Sequence, residues 1–268
     1  MGKFKYTLKK DEPDERDYMF CELIKSEELP KSVDLRDKMP PVFNQFNEGS
    51  CTAQGGTADR MYMMGNTKDL SRQFLYNVER IIDGTFPEDD GSQIRTICKA
   101  LNQYGICEES YLPYGEDNIG VTPSADAYKN AENYKISSYH RCTSISDMKT
   151  ALAQGHCILI GITVYSSFEE NVGDDGKISM PNVNTEQVMG GHCTLLVGYE
   201  DNTEAEECGV IENIINNIFG KKSEGNFILR NSWSGNSTSE GGWGDHGYGY
   251  LPYEVLEKII QDAWVIIK

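Results

Sequence analysis

Apolar residues recur at helical spacing over much of the first half of the chain and form short runs in the second half. The helical pattern predicts four helices, at residues 51–64, 71–82, 92–104 and 146–154. The short apolar runs predict four strands, at residues 157–165, 192–199, 226–230 and 248–251. Because the helices precede the strands, the pattern indicates an α+β fold with a helical lobe and a β-rich lobe.

Two glycines interrupt the first predicted helix. Gly55 and Gly56 each cost ~1 kcal/mol relative to alanine in a helix interior. A helix that must approach its neighbours closely has a use for such residues, so we expect this helix to lie between the two lobes. A glycine-containing loop is the less favoured alternative. Ser71 is the predicted N-cap of the second helix, and Gly105 is the predicted end of the third.

The distribution of charge separates a leader, residues 1–28, from a body, residues 29–268. Within the body we expect the helical lobe at about residues 41–137 and the β-rich lobe at about residues 138–268. The polar and charged segment 202–225 is predicted to be an insertion between two strands. Added chain length costs little at such a place, since the entropy of loop closure grows slowly with length.

Charge and composition exclude several classes of partner. The net charge of −17 disfavours nucleic acids and acidic membranes, which carry the same sign. No apolar run approaches the ~20 residues that span a bilayer, and the N-terminus lacks the apolar region of a secretory signal. Eight cysteines in 268 residues are too few for a disulfide scaffold. We therefore expect an intracellular protein, and the spacing of the cysteines suggests no metal site or other cofactor.

Three short segments carry the groups that thiol-based acyl transfer requires. Gln45 and a Gly-Ser pair precede Cys51, His192 follows two glycines, and Asn231 begins an Asn-Ser-Trp sequence. In this chemistry a thiolate attacks a carbonyl and a base holds and returns the proton. A third group orients the base, and hydrogen-bond donors bind the oxyanion. Taken alone, each residue has a simpler interpretation, as a buried core cysteine or as a polar residue in a loop.

Together these segments resemble those of the papain-like (C1) cysteine peptidases. The separation of Cys51 and His192, about 140 residues, lies within the roughly 130–150 residues typical of that family. Asn231 follows Cys51 by about 180 residues, and the predicted insertion accounts for the excess. The resemblance covers about residues 29–251 and is nearest to compact, disulfide-poor bacterial and viral members. It implies a papain-like two-lobed fold with the active site in the cleft between the lobes.

The resemblance also implies a role for each residue of the set. Cys51 would be the nucleophile at the start of a helix, where the helix dipole and a neighbouring imidazolium favour the thiolate. His192 would be the general base, and Asn231 would orient its ring. Gln45 and the backbone N–H of Cys51 would bind the oxyanion. Trp233 would shield the His192–Asn231 hydrogen bond from water.

The substrate-binding residues are less well defined. We predict that Ile160, Gly190, Gly191 and Cys193 line the cleft and select a small to medium apolar side chain. In most members of the family a tryptophan follows the nucleophile, whereas this chain has Thr52 there. Many members have a glycine at the position that Phe46 occupies in this chain. Many secreted members also join the two turns beside the nucleophile by a disulfide. At the matching places this chain has Glu48 and the turn 89–92.

The leading hypothesis is therefore a thiol-dependent peptidase that acts on peptide or protein substrates. A transpeptidase or deconjugating enzyme would use the same chemistry with a different acceptor or substrate. A catalytically silent papain-like binding protein is the alternative from another class. The presence of Gln45, Cys51, His192 and Asn231 together argues against the silent alternative.

The leader raises a separate question, since it is too short and too charged to form the helical pro-segment of secreted relatives. It could pack along the body and stabilise it, or it could occupy the cleft. Its compact apolar cluster, Tyr18-Met19-Phe20, is the expected anchor. We expect the first role, and hence activity without cleavage of the chain.

Overall fold

The computed structural model describes residues 4–20, 29–202, 225–234 and 242–268. The predicted insertion at 202–225 thus lies almost wholly outside the described residues. The described part contains seven α-helices, which are α1 Cys51–Met63, α2 Arg72–Asp83, α3 Ile94–Gln103, α4 Ala125–Ala131, α5 Ile145–Ala153, α6 Ser166–Glu170 and α7 Tyr253–Ile259. The four helices predicted from periodicity are confirmed as α1, α2, α3 and α5.

Local signals in the sequence explain where these helices begin and end. The hydroxyl of Ser71 accepts a hydrogen bond from the backbone N–H of Phe74, as an N-cap does. Ser144 and Asp147 form a reciprocal capping box at the start of α5. Gly105, just beyond α3, has φ of 82°, a left-handed conformation that glycine adopts readily.

The strands of the described part form one seven-stranded antiparallel sheet. They are β1 Ser32–Asp34, β2 Ser138–Arg141, β3 Ile158–Tyr165, β4 Val188–Asp201, β5 Gly225–Arg230, β6 Tyr248–Pro252 and β7 Ile260–Ile267. Their order in the sheet is β2-β7-β3-β4-β5-β6, and β1 also pairs with β4. The predicted α+β architecture is confirmed, and the four predicted strands correspond to β3, β4, β5 and β6.

Helix α1 lies between α3 and the sheet, and its glycines permit this position. A Cβ atom added to Gly55 would lie 2.8 Å from Leu159 on β3. A Cβ atom added to Gly56 would lie 2.3 Å from Ile97 on α3. Both contacts are shorter than packed side chains tolerate, so the expected close approach of α1 to both neighbours is confirmed.

The C-terminal part of the chain supplies a strand that periodicity did not predict. Strand β7 runs between β2 and β3, and the side chain of Trp264 within it is fully buried. From Ala263 onward this strand is apolar on both faces, so it lacks the alternation that marks a half-buried strand. The predicted boundary between the lobes, at residues 137 and 138, stays a prediction.

The later part of the leader packs along the body. Phe20 is buried and Met19 forms a β-bridge with Arg141, whereas the side chain of Tyr18 is 67% exposed. The carboxylate of Asp17 accepts a hydrogen bond from the guanidinium of Arg95 at 2.6 Å. Phe20 is therefore the buried part of the expected anchor, and Tyr18 contributes an exposed ring that contacts His140 and a carbonyl that accepts the backbone N–H of Arg141. No helix within the described ranges is long and apolar enough to cross a membrane.

Candidate active site

Cys51 is the first residue of α1 and lies in the seam between that helix and β4. Its side chain is 1% exposed, and the neighbouring backbone N–H of Cys193 acts to lower the pKa of its thiol. The hydroxyl of the preceding Ser50 hydrogen-bonds Tyr114 at 2.8 Å and accepts from Gln54 at 3.0 Å. The thiol thus occupies the position at a helix start that the sequence predicts.

His192 and Asn231 come together because β4 and β5 are neighbours in the sheet. Nε2 of His192 lies 2.8 Å from Oδ1 of Asn231. The imidazole also stacks on the indole of Trp233, with ring centroids 4.8 Å apart and planes 18° apart. All three side chains are buried. Since Nε2 is committed to Asn231, Nδ1 is the ring nitrogen left to exchange a proton with a reacting group, and it has no partner among the described residues.

The side chain of Gln45 is fixed between the nucleophile turn and the end of β5. Its Nε2 donates to the carbonyl oxygen of Glu48 at 3.0 Å, and its Oε1 accepts from the hydroxyl of Ser232 at 2.5 Å. Its backbone N–H donates to the carbonyl of Ser232 at 2.9 Å. A side-chain amide has two N–H donors, so one remains for a ligand.

The first part of the leader lies in the cleft beside these residues. The backbone N–H of Leu8 donates to the carbonyl of Gly191 at 3.1 Å, and that of Lys9 donates to the carbonyl of Ser92 at 3.0 Å. The rings of Tyr6 and His192 lie nearly perpendicular to each other, with centroids 5.9 Å apart. These contacts overturn the expectation that the leader only packs along the body.

Glycines on both walls make room for this extended chain. A Cβ atom on Gly190 would lie 2.5 Å from the carbonyl oxygen of Tyr6, and one on Gly191 would lie 2.4 Å from that of Leu8. On the opposite wall, a Cβ atom on Gly91 would lie 2.0 Å from the carbonyl oxygen of Thr7. The cleft therefore has the width of an extended polypeptide backbone.

Burial controls the protonation of the covered site. It raises the pKa of the Cys51 thiol to about 12, against the lowering effect of the Cys193 N–H. Burial also lowers the pKa of His192 to about 4, although the hydrogen bond that its Nε2–H donates to Asn231 acts in the opposite direction. With the leader in place, both shifts favour a neutral thiol and a neutral imidazole. The predicted thiolate–imidazolium pair requires water or substrate in the cleft, because low dielectric disfavours both charges.

One of the predicted substrate-binding residues faces away from the leader. A Cβ atom on Gly161 would lie 2.9 Å from Leu8 and 3.2 Å from Ile94, so Gly161 faces the cleft. Successive residues of a strand point to opposite faces of the sheet, which turns Ile160 to the other side. Gly161 thus replaces Ile160 in the cleft wall, whereas the backbones of Gly190, Gly191 and Cys193 do lie along the cleft.

Two further side chains support the site and were not predicted as part of it. The hydroxyl of Tyr114 donates to the backbone carbonyl of Gln45 at 3.0 Å. Glu79 on α2 is fully buried and accepts a hydrogen bond from Thr52 at 2.6 Å, and burial raises its pKa to about 8. The sequence signal for Glu79 was its position one helical turn after Leu75, which places a carboxylate on the apolar face of α2.

The other histidines lie apart from this set. The side chain of His246 is 71% exposed, and its Nε2 is 4.0 Å from Asp245. His140 contacts Tyr18 of the leader, with ring centroids 6.0 Å apart. Within the described ranges no group of three or more histidine, cysteine, aspartate or glutamate side chains is arranged to hold a metal ion.

Comparison with known proteins identifies the family of the chain. The family profile described as papain family cysteine protease matches residues 29–262. An uncharacterized peptidase C1-like protein of Acanthamoeba polyphaga mimivirus is 31% identical over 96% of this chain and 85% of its own length. Peptidase 1 of the mite Euroglyphus maynei is 26% identical over 91% of this chain and 68% of its own length.

Solved structures show the same fold. Xylellain, a cysteine protease from Xylella fastidiosa, superposes with a TM-score of 0.78 at 30% identity, over 100% of this chain and 97% of that one. The Carica candamarcensis cysteine protease CMS1MS2, solved in complex with E-64, has a TM-score of 0.61 at 21% identity, over 90% and 99% of the two chains. The second likeness concerns the fold alone. By sequence profile, relatives and two-lobed fold, this chain belongs to the papain family of cysteine proteases and is a cysteine-type peptidase.

Proposed function

We propose that the chain hydrolyses peptide bonds in polypeptides through an acyl-enzyme on Cys51. The observation that carries this proposal is the 2.8 Å hydrogen bond between His192 and Asn231, in a cleft that also holds Cys51 and an extended polypeptide segment. A base oriented through one nitrogen and a thiol at a helix start are the parts that nucleophilic acyl transfer needs.

In the first half of the reaction, Nδ1 of His192 takes the proton of the Cys51 thiol. The thiolate attacks the scissile carbonyl carbon, and the C–O π electrons move to the oxygen. The backbone N–H of Cys51 and the remaining Nε2–H of Gln45 bind this oxyanion. When the intermediate collapses, the C–N bond breaks and the imidazolium of His192 protonates the leaving amine. The product of this half is a thioester on Cys51.

In the second half, the imidazole takes a proton from water, whose oxygen attacks the thioester carbonyl. Collapse of the second intermediate breaks the C–S bond, releases the acid and restores the thiol–imidazole pair. Throughout, the amide of Asn231 keeps the ring plane fixed by accepting the Nε2–H of His192. Trp233 supports the same orientation by stacking on the ring.

The cleft contacts of the leader support a latent state of the full-length chain. Phe4, Tyr6 and Leu8 cover the indole of Trp233, the ring of His192 and the wall at Gly161, respectively. A substrate backbone would need the carbonyl of Gly191 that Leu8 already uses. Hydrolysis therefore begins only from the fraction of molecules in which residues 4–9 have left the cleft.

The test is labelling with an E-64-type epoxide, followed by mapping of the modified residue by mass spectrometry. We expect one label per chain, on Cys51, at a rate limited by opening of the cleft. Cys157, which is buried in the core, serves as the matched control, and Cys157→Ala should be labelled at the wild-type rate. A label on any other cysteine, or none after prolonged incubation with residues 4–9 displaced, would refute the assignment.

A further inference from the structure

Asp89 lies on the wall of the cleft opposite β4 and uses its two carboxylate oxygens for different contacts. Oδ1 accepts a hydrogen bond from the backbone N–H of Gly49 at 2.9 Å and another from the hydroxyl of Tyr76 at 2.5 Å. Oδ2 pairs with the ammonium group of Lys5 at 2.5 Å. One oxygen therefore serves the protein body, and the other serves a chain lying in the cleft.

The contacts of Oδ1 fix the carboxylate rigidly beside the nucleophile. Gly49 belongs to the turn that leads into Cys51, and the hydroxyl of Tyr76 also accepts the backbone N–H of Gly91 at 3.2 Å. Asp89 thus joins the nucleophile turn to the glycine turn that borders the bound backbone. Because two donors hold Oδ1, the direction in which Oδ2 points is set before any ligand arrives.

The position of Lys5 relates Oδ2 to the reacting groups. Its neighbours in the leader are Phe4, whose ring stacks on Trp233, and Tyr6, whose ring meets His192. Lys5 therefore extends from a residue that lies within the reacting part of the cleft. A substrate side chain in the place of Lys5 would therefore reach the same carboxylate.

We propose that Asp89 is a specificity-determining residue that favours substrates with a lysine or arginine close to the scissile bond. This inference rests on the proposed peptidase function and concerns which polypeptides the cleft prefers. Lys5 shows the contact that such a side chain would make once the leader has left. The acidic protein, with a net charge of −17, would also attract basic segments from a distance.

A neighbouring carboxylate provides a comparison within the same turn. Asp90 pairs with Lys9 at 2.5 Å, but its side chain is 57% exposed, against 16% for Asp89. Ion pairs between exposed groups contribute little because water and salt screen them. The partly buried and pre-oriented Asp89 should therefore discriminate, and Asp90 should not.

The test measures kcat/KM for pairs of peptides that differ by lysine against norleucine at one position. The substitution is placed in turn at each of three positions on either side of the scissile bond. The readout is the ratio of kcat/KM for the lysine peptide to kcat/KM for the norleucine peptide, measured with the same enzyme variant. The fraction of molecules whose cleft holds the leader affects both values equally and therefore cancels from the ratio. We expect a ratio of about three to ten at one position for the wild type, as for a partly screened, pre-oriented ion pair.

Asp89→Asn separates the charge from the structural contact. The amide oxygen can still accept from Gly49 and Tyr76, whereas the amide nitrogen replaces the oxygen that faces the basic side chain. We expect the ratio to fall to about one, with hydrolysis of the norleucine peptide retained or raised as Lys5 loses its partner. Asp90→Asn is the matched control and should keep the wild-type ratio within about twofold.

Three outcomes would overturn the inference: a ratio near one in the wild type, an unchanged ratio in Asp89→Asn, or loss of the ratio in Asp90→Asn instead. Each of these leaves the peptidase function intact, since both peptides would still be cleaved. Failure of the proposed function would look different, because neither peptide would be cleaved through Cys51.

Discussion

The phenyl ring of Phe4 lies parallel to the indole of Trp233, with centroids 4.1 Å apart and planes 3° apart. The same indole stacks on the imidazole of His192 at 4.8 Å. The indole therefore contacts both the leader and the candidate base. The leader thus covers the surroundings of His192 in this structure, and the proposed function requires residues 4–9 to leave the cleft before substrate reaches that ring.

Weakening the leader should activate the full-length chain. Leu8 is 7% exposed and packs against Gly161. Leu8→Asp removes this apolar contact and places an unpaired carboxylate there. The change should weaken binding of the leader in the cleft by at least about 2 kcal/mol. We expect kcat/KM for a peptide substrate to rise by about tenfold or more. Hydrolysis rates of the two purified chains at equal concentration provide the measurement.

The control for this prediction lies in the part of the leader outside the cleft. The side chain of Tyr18 is 67% exposed, and Tyr18→Ala should leave kcat/KM within about twofold of the wild-type value. If Leu8→Asp left the rate unchanged while Tyr18→Ala raised it, the leader would not act by covering the cleft.

The identity of the base can be read from the pH dependence of Cys51 alkylation. In the covered cleft the thiol pKa is raised to about 12, and the His192 pKa is lowered to about 4, so neither group is charged near neutral pH. In the Leu8→Asp background we expect water to enter the cleft. The rate of alkylation by iodoacetamide should then show an acid limb, a rise at acidic pH that reports formation of the thiolate–imidazolium pair. Adding His192→Ala should remove that limb and leave a thiol near pKa ~8.5.

His246→Ala is the matched control for the base, since that side chain is largely exposed and lies beside Asp245. It should preserve the acid limb. The assignment of His192 fails if His246→Ala abolishes the acid limb and His192→Ala does not.

A buried carboxyl on α1 should make stability depend on pH. Asp59 is 1% exposed, its Oδ2 has no partner among the described residues, and burial raises its pKa to about 8. The folded pKa lies above the unfolded value of ~3.9. The folded chain thus keeps a proton that the unfolded chain loses, and the free energy of unfolding falls as pH rises from about 4 to 8.

Asp59→Asn cannot titrate, so it should gain stability over the wild type progressively through this window. The gain should be near zero below pH 4 and reach a few kcal/mol at pH 8. Urea denaturation at several pH values measures the difference, with the exposed Asp117→Asn as control. A difference that does not vary with pH would mean that Asp59 is not held protonated.

The sequence predicted the helices around the candidate site because their signals are local. Ser71 as a cap and Gly55 and Gly56 as close-packing positions are each readable within a few residues. Strand β7 was missed because it is buried on both faces between β2 and β3. Its apolar run lacks the alternation that identifies a strand with one exposed face.

The path of the leader could not be predicted from its composition. The charged composition of the leader was compatible with packing along the body or in the cleft, and Lys5 and Lys9 each pair with an aspartate that lies far from it in the sequence. The error at Ile160 has a similar origin, since a shift of one residue moves a side chain to the other face of a strand. Both depend on long-range pairing, which local patterns do not encode.

Comparing peptide hydrolysis by Cys51→Ala with hydrolysis by Cys157→Ala tests the central claim most directly. Both substitutions remove one buried thiol, and neither creates a large cavity, so both proteins should fold. We expect Cys51→Ala to lose hydrolysis completely in the Leu8→Asp background, while Cys157→Ala retains the rate and loses only stability. Hydrolysis by purified Cys51→Ala at the rate of the Leu8→Asp parent would contradict the account.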